Sequence, residues 1–499
     1  MKGDFTRNTF QALRHYSGVR MQQGRVQLDA DWNEQLDIQE HADRTERRDL
    51  IGPCGAPLEL DREVASTGFA VMLGADGGLS VRQGRYYLDG LLCQNERDCP
   101  LSAQPDLPGY GVPAEPGRYL AYLDAWPLLV TSVEEPDIRE VALNGPDTSV
   151  RVRTVWQVKL VPLAEDRQDA EMFGRTWLPE ELTSTGTVAA RAVPPSPVGD
   201  ACMVPAGAGY RRLENQLYRV EIHDDSTTRG GPTFKWSRDN GTLYTRVRQI
   251  IDDILIVDQA GRDPLRRFRP NQWVELSDER KVLHGLPGLL VQLADVQDDR
   301  LRVIWPETYR LPEGEVITVR AWDGASGAEP CGTDGYLDLE DGVQVSFSRG
   351  QYRTGDYWLL PARTATGGVL WPQEGFPPAP VQQGRHGTEH RFGALAIVRQ
   401  DDRGQWSIER DCRQYFAPLS QQHLLLYAGG DGQESLPGQA LGSPLAASVV
   451  IGQTPLPGAR VKFEITVGDP AVATLTGLDA EGRSGPAVVV RTDRLGVAR

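Results

Sequence analysis

Two of the seven histidines, His386 and His390, stand four residues apart in the stretch GRHGTEHRF. On a helix this spacing places two imidazoles on one face, where they can share a zinc ion. The glycines around them and the apolar run FGALAIV after them instead predict a loop that enters a strand. The context therefore favours a structural or solvent-exposed role for both histidines over a zinc site.

Acidic residues could bind a hard cation through their carboxylate oxygens in two places. The first group is His223, Asp224 and Asp225 after LYRVEI. The second group is Asp334, Asp338, Glu340 and Asp341 in TDGYLDLEDGVQV. Neither group has the ligand spacing of a calcium loop with a glycine at its sixth position. An ordinary turn is the better interpretation of the first group, and a solvated loop before a strand is that of the second.

The sequence contains no recognisable set of a nucleophile, a base and an orienting group. G-x-S-x-G, H-E-x-x-H, the phosphate-binding G-x-x-x-x-G-K-[ST] and a dinucleotide fingerprint after a strand are all missing. Carboxylate pairs such as Glu134 and Glu135 are common in a chain with 69 acids. The six cysteines are thinly spread and fit buried thiols better than a zinc site. We therefore predict a protein that is not an enzyme, with no catalytic residue, no cofactor and no metal.

Aromatic side chains could form a platform for a sugar ring. The candidates are Tyr86, Tyr87, Trp126, Trp236, Tyr357, Trp358 and Trp371. Most of them lie within alternating strands, where burial in the core is the default.

The elements that would position these residues are mostly strands. Alternating apolar and polar runs are separated by turns rich in the 53 glycines and 35 prolines, which is typical of antiparallel sheets. The turn Asp239-Asn240-Gly241 predicts a hairpin between two such runs. The predicted fold class is mainly β, with antiparallel sheet modules, an N-terminal arm and helix, an inserted small β-barrel and a C-terminal immunoglobulin-like β-sandwich.

The first helix signal is the stretch MQQGRVQLDADWNEQ, in which a short strand runs directly into a helix start. Asp31 and Glu34 have the spacing of an acidic capping box, and Gly52-Pro53 is a stop signal. The helix has few apolar residues, so it is marginal alone and needs a surface to lie against. Residues 5–20 before it are polar with isolated aromatics, which predicts an arm.

Composition along the chain divides it into modules. They are an N-terminal arm and helix at 1–55, a β-rich domain with a long surface loop at 56–249, an inserted barrel-like module at 250–310, a continuation of the β-rich domain at 311–427, a linker at 428–445 and an immunoglobulin-like domain at 446–499. The last module has room for fewer than the roughly seven strands of such a sandwich, so we expect the natural chain to continue past Arg499.

The net charge of −16 argues against nucleic-acid binding, which needs a positive surface. The sequence has no apolar run of the roughly 20 residues that span a bilayer, and no signal peptide at its start. We therefore expect synthesis in the cytoplasm, without membrane insertion and without export by the general secretory route.

The stretches MKGDFTRNTF, HYSGVRMQQGRVQLDADWNEQ, DLIGPCGAP, GRYYLDG, ENQLYRVEIHD, TFKWSRDNGTLY and GDYWLLPAR carry a family resemblance. Together they resemble a bacterial family of unknown molecular function whose genes often lie in clusters for phage-tail-like contractile injection systems. The resemblance covers about residues 1–425, and the segment 430–499 looks like a bacterial immunoglobulin-like domain. No catalytic motif comes with it.

The resemblance implies a structural subunit of a contractile particle, of baseplate-peripheral, cage or fibre type. Its partners would be other subunits of the particle and copies of itself, and the particle would be cytoplasmic or released by lysis. Because an arm and a weak helix gain stability when docked, we predict Val26, Leu28, Trp32 and Leu36 as interface residues. The alternative is that the arm packs on the chain's own sheet.

A second function class stays open. The protein could be cargo, or an element that binds carbohydrate or the cell surface and is carried by such a particle. In that case the sandwich or the aromatic loops would form the working surface, with a surface glycan as the partner.

Overall fold

The computed structural model is mainly β, with 41% of the chain in strands and 9% in helices. It describes residues 1–58, 68–165, 183–194, 209–263, 266–332, 335–466, 473–478 and 481–499. The chain divides into a main unit, Met1–Gly55 with Gly68–Gln414, and a C-terminal unit, Ala56–Thr67 with Tyr415–Arg499. The predicted fold class of antiparallel sheets with a barrel and an N-terminal helix is confirmed. Much of the predicted surface loop, with Cys202, lies outside the described residues.

The N-terminal helix, α1, spans Asp29–Ile51. It ends as predicted at Gly52, whose φ is 92° and whose N–H bonds to the Arg48 carbonyl at 2.8 Å. The predicted capping box is wrong, because the helix starts three residues earlier than the box requires and its N-cap is Leu28, which has no side-chain acceptor. A short α-helix, α2, spans Glu279–Leu283, and 3₁₀ turns within the described ranges are Ala12–Arg14, Pro136–Ile138, Val141–Leu143 and Leu419–Gln421.

The longest strands of the main unit form one antiparallel sheet. In spatial order they are Arg151–Pro162, Gly117–Val130, Arg391–Gln400 and Trp406–Asp411. A smaller sheet joins the first two residues of the strand Cys54–Pro57 to Gly84–Leu88 and Leu91–Asn95. Three others are built by Val71–Leu73, Leu79–Val81 and Cys99–Pro100, by Ala103–Gln104 and Leu107–Pro108, and by Gln373–Glu374 and Ala379–Pro380.

Two further sheets share an aromatic core, and we call this pair the aromatic sandwich. Its first sheet is ordered Glu329–Pro330, Thr233–Ser237, Gln216–Ile222, Tyr357–Arg363 and Gly368–Val369. Its second sheet is ordered Val188–Ala192, Val343–Phe347 and Leu337–Asp338. Phe234, Trp236, Phe347 and Trp358 fill the space between them, each at most 4% exposed. Period-two alternation puts these aromatics on one face of their strands and leaves the other face for polar residues.

Six strands close into the predicted barrel. Around it they run Tyr244–Ile251, Ile254–Val257, Arg300–Ile304, Leu289–Gln297, Trp273–Asp278 and Ile317–Trp322. Two of its hairpins turn on Asp-Asp pairs, in which Asp252 and Asp298 adopt φ values of 49° and 52°. Aspartate tolerates this left-handed region better than most residues, so these turns are encoded locally.

The turn at Asn240 and Gly241 forms, with φ values of 57° and 67°, but the predicted hairpin is wrong. The strands on either side, Thr233–Ser237 and Tyr244–Ile251, belong to different sheets. The turn therefore carries the chain from the aromatic sandwich into the barrel, because neighbours distant in sequence offer both strands better partners.

In the C-terminal unit, Ala56–Pro57 pairs in parallel with Tyr415–Phe416. One sheet is built from His423–Gly429, Ala446–Ile451, Thr454–Pro455 and Val497–Ala498, a second from Arg460–Glu464 and Ala487–Arg491, and a third from Leu475–Thr476 and Ser484–Gly485. Val461, Val488 and Ala498 come from two of these sheets and share one core, as in a sandwich. The edge strand His423–Gly429 leaves Leu424, Leu425, Leu426 and Tyr427 between 40% and 69% exposed.

No helix in the described part of the chain is both long enough and apolar enough to cross a membrane.

Candidate docking surface and buried charge cluster

The four residues predicted as an interface are all exposed on the isolated chain. Val26 is 83% exposed, Leu28 44%, Trp32 58% and Leu36 54%. Trp32 and Leu36 lie one turn apart on α1, about 40° from each other around its axis, and Leu28 is the N-cap residue one turn before Trp32. We call these four residues the docking surface. Large apolar side chains grouped in this way are typical of a protein contact.

The opposite side of α1 carries its buried residues and its contacts with Asp89 and Gly90. Ala30 and Ile38, its two buried residues, lie on this side. Farther along, Arg48 pairs with Asp89 at 3.0 Å and Gly90 lies against the Arg44 backbone, where a Cβ atom would come within 2.4 Å of the Arg44 carbonyl oxygen. The helix is thus anchored on one face, and its apolar stripe points away from that anchor.

The arm before the helix folds back along it. Thr6 donates its N–H and its hydroxyl to Asp29, at 2.9 and 2.7 Å. The Thr9 hydroxyl donates to the Glu34 carboxylate at 2.6 Å. Glu34, which was expected to complete the capping box, therefore bonds the arm instead. These contacts fix the arm and helix as one substructure, and they leave the docking surface uncovered.

The first residues of the arm lie on the chain's own main unit. Gly3 and Asn240 pair through their backbones, and the Asn240 amide donates to the Gly3 carbonyl at 2.9 Å. Asp4 pairs with Arg262 at 2.9 Å, and Arg363 donates to the Thr6 carbonyl at 2.8 Å. Residues 3–6 therefore match the alternative in which the arm packs on its own chain, whereas docking through Val26, Leu28, Trp32 and Leu36 stays a prediction.

The ammonium group of Lys2 lies among other titratable side chains. We call this set the charge cluster, and its members are Lys2, Arg219, Glu221, His223, Lys235 and Glu275. The Glu221 carboxylate lies 2.8 Å from the Lys2 ammonium and 2.6 Å from the Arg219 guanidinium. Lys235 bonds Glu275 at 2.6 Å and lies 3.5 Å from Glu221. Apart from Lys2, the members are at most 7% exposed, so their pairing is what makes their burial tolerable.

The cluster has a simple structural origin. Glu221 and Lys235 are opposite each other on neighbouring strands, on the polar face of the aromatic sandwich's first sheet. Glu275 comes from the barrel, where it also accepts from Trp322 Nε1 at 3.0 Å. Lys2 arrives from the arm. The charge cluster therefore ties the arm, the sheet and the barrel together at one point.

Burial and neighbouring charges shift the acid–base behaviour of the cluster. Burial alone would raise the pKa of Glu275, but Lys235, Lys2 and His223 lower it to about 2. Burial and then the positive charge of Lys235 lower the pKa of His223 to about 4. The neutral Nδ1 of His223 can then accept from the Lys235 ammonium, 3.3 Å away. At neutral pH the carboxylates of the cluster are ionised and His223 is neutral, while burial lowers the pKa of Lys2 to about 8.

The histidines considered for zinc have separate partners. His386 Nδ1 accepts from the Leu359 N–H at 3.0 Å and its ring stacks on Trp371. His390 bonds Asp124 at 2.7 Å and stacks on Trp126 at 4.2 Å. In the described ranges, three or more His, Cys, Asp or Glu side chains are nowhere arranged to hold a metal ion.

The acidic residues considered for a cation also have separate partners. Asp225 accepts from the backbone of Thr227 at 2.9 Å, so the predicted turn forms, whereas His223 joins the charge cluster. The predicted loop before a strand forms, but it is only partly solvated: Asp338 is exposed, whereas Glu340 pairs with Arg238 at 2.9 Å and Asp341 with Arg212 at 2.6 Å. Asp334 lies outside the described residues.

Six of the seven aromatic residues considered as a sugar platform are at most 8% exposed, and Tyr87 is half-buried. Four of the five described cysteines, Cys54, Cys93, Cys99 and Cys412, are buried and Cys331 is half-buried, all as free thiols. These side chains belong to cores.

Sequence reasoning missed the charge cluster. A weak signal was present, since the chain contains few lysines and Lys235 lies inside the strand-like TFKWS, opposite in phase to Phe234 and Trp236. A charge at such a position indicates a second packed face of the sheet. Nothing local could identify Glu275 or Lys2 as its partners, because they are tens to hundreds of residues away.

Fold and site together define a β protein of several modules, with an internally anchored arm and an exposed apolar helix face. Residues 1–173 and 182–462 match the model of a family of unknown function, DUF6519, and the chain belongs to this family. Neither the comparison with curated proteins nor that with solved structures gave a match.

Proposed function

We propose that the protein is a non-enzymatic structural subunit of a phage-tail-like contractile injection particle, in a baseplate-peripheral, cage or fibre position, and that it docks through its arm and α1. The particle is suggested by the resemblance of the N-terminal stretch. The docking is supported chiefly by one observation: Leu28, Trp32 and Leu36 are exposed on the face of α1 opposite its anchor. The partner is another subunit of the particle, which can be a second copy of this chain.

Physical reasoning favours a docked partner over solvent at this face. Burying a tryptophan or leucine side chain is worth about 1.5–3 kcal/mol each, and aromatic anchors dominate many interfaces. The anchored arm and helix present these side chains without a further ordering cost, since Thr6, Thr9 and Gln35 already hold the segment together. A rigid, apolar, projecting face is suited to a permanent contact in an assembly.

The test is the amount of chain that copurifies with contractile particles. The double variant Trp32→Ser and Leu36→Ser is expected to reduce incorporation at least about tenfold, which corresponds to about 1.4 kcal/mol of lost contact energy. Because both side chains are exposed, its unfolding midpoint should match that of the parent. Leu213→Ser is the control, since Leu213 is fully exposed outside the arm.

Two outcomes would refute the proposal. A parent chain that is absent from purified particles removes the assignment to the particle. A double variant that is incorporated as well as Leu213→Ser removes the docking role of α1. A fixed stoichiometry on the particle would support a structural position, whereas a low and variable amount inside the tube would point to cargo.

A further inference from the structure

Beside the docking surface lies a cleft of about 1480 Å³ within the main unit. Its walls are the arm at Asp4–Arg7, the barrel loop around Arg266 and Arg267, and the sheet end at Arg363; Leu28 lines it as well. Seven arginines and five carboxylates contribute to the lining. A local excess of positive charge is notable in a chain whose net charge is −16.

Several of these arginines have no carboxylate to neutralise them. Arg363 donates to the carbonyls of Gln216, Ala362 and Thr6 at 2.8 to 3.2 Å, but to no acid among the described residues. Arg7 and Arg267 likewise have no acidic partner within the described ranges. Burial, and then the positive charge of Arg7, lower the pKa of Arg363, so the two guanidiniums are close enough to repel each other.

Guanidinium groups that face one cleft without counter-charges are suited to binding carboxylates or phosphates. Their planar fork pairs with either group through two parallel N–H···O bonds. Bringing an anion between Arg7 and Arg363 would turn a repulsion into two attractive pairs. The contrast with Arg212 and Arg238 is informative, because these line the same cleft and are already paired with Asp341 and Glu340.

The size and the lining of the cleft distinguish between anionic ligands. Pockets for small molecules usually enclose about 300–1,000 Å³, and this cleft is larger. Phe5, Leu28 and Trp273 add apolar surface among the arginines. A peptide that carries several carboxylates on methylene stems matches this mixture better than a bare inorganic anion does.

We infer that the cleft receives an acidic, extended segment of a neighbouring subunit, whose carboxylates pair with Arg7, Arg267 and Arg363. The inference rests on the proposed function, because Leu28 belongs both to the docking surface and to the cleft. It adds the chemistry of the partner: an Asp- or Glu-rich segment next to the apolar contact.

Poly-L-glutamate is the probe, and inorganic phosphate is the small-anion comparison, both titrated calorimetrically into the full chain at low salt. The double variant Arg7→Gln and Arg267→Gln should bind poly-L-glutamate at least about tenfold more weakly, which equals about 1.4 kcal/mol. Arg403→Gln is the control: Arg403 is exposed on another turn and has no ion pair in the described structure. Unfolding midpoints of all three proteins should agree, and added salt should weaken the binding.

The inference is overturned if poly-L-glutamate does not bind, if phosphate binds equally well per charge, or if the double variant binds like Arg403→Gln. Incorporation into particles is measured separately with Trp32→Ser and Leu36→Ser. If that variant is lost from particles while the arginine variant binds poly-L-glutamate normally, the proposed function stands and the acidic partner segment does not.

Discussion

Replacing Glu275 by alanine removes the carboxylate that joins the barrel to the rest of the charge cluster. Its Oε1 accepts from Lys235 at 2.6 Å and from the Gly288 N–H at 3.0 Å, while its Oε2 accepts from Trp322 at 3.0 Å. After the change, Lys235 is left with Glu221 at 3.5 Å and the neutral His223 ring at 3.3 Å, and two buried N–H groups lose their acceptor. We expect a large loss of stability from this single substitution.

The magnitude follows from two independent estimates. The pKa of Glu275 falls from its ordinary 4.5 to about 2, which corresponds to about 3 kcal/mol at neutral pH. Removing one partner of a buried ion pair costs about 3–5 kcal/mol. Because the pKa is lowered in the folded state, this contribution is complete above pH 4.5 and is lost as the pH falls towards 2. Glu275→Gln keeps the acceptor oxygen but not the charge, so it should cost less, about 1.5–3 kcal/mol.

Equilibrium urea unfolding at neutral pH, followed by tryptophan fluorescence, measures these differences. Trp322, one of the 11 tryptophans that give this signal, touches the altered carboxylate. Glu307→Gln is the control, since Glu307 is exposed just after a barrel strand and should change the free energy of unfolding by less than about 0.5 kcal/mol. If Glu275→Ala lowers stability by less than about 1 kcal/mol, the cluster does not hold the modules together as described.

Three other outcomes are expected. Gly90→Ala should lower the free energy of unfolding by about 1–3 kcal/mol and increase hydrogen exchange in α1, because the new Cβ would press on the Arg44 carbonyl. Gly77→Ala is the control and should cost less, since Gly77 has a similar φ but open space around it. Because the pKa of His223 is lowered to about 4 in the folded chain, the unfolded chain takes up a proton first as the pH falls from 6.5 to 4. The free energy of unfolding should therefore be about 2 kcal/mol lower at pH 5 than at neutral pH. In urea titrations, His223→Gln should reduce this dependence of stability on pH. Leu425→Lys on the exposed edge strand of the C-terminal unit should reduce concentration-dependent association in light scattering, and unchanged association would show that this strand is not a sticky edge.

Local patterns were sufficient for several parts of the fold. Asp252 and Asp298 mark two barrel hairpins because aspartate accepts a left-handed backbone, and Gly52 ends α1 for the same kind of reason. Alternation identified the strands because it reflects one buried and one open face. Each of these signals involves residues that are neighbours in both sequence and space.

The same reasoning failed where a local signal had two solutions. Asn240 and Gly241 form their turn, yet the flanking strands leave it for different sheets, since a turn dictates direction but not the partner of each strand. The capping box failed similarly, because Glu34 found Thr9 of the returning arm instead of a backbone N–H. Residues brought back from elsewhere in the chain supplied the competing bonds.

The sequence by itself determined that this chain is a β protein with an arm, one long helix and a small barrel, because periodicity, turn residues and stop signals act over a few residues. Only the tertiary structure decided which charges meet. Lys2, Glu221, Lys235 and Glu275 form a cluster because a sheet face, a barrel strand and an arm converge. Electrostatic pairing at 2.6 to 3.5 Å depends on position in space rather than along the chain. The exposed face of α1 follows the same rule, since the packing that buries Ala30 and Ile38 decides which side of the helix faces away.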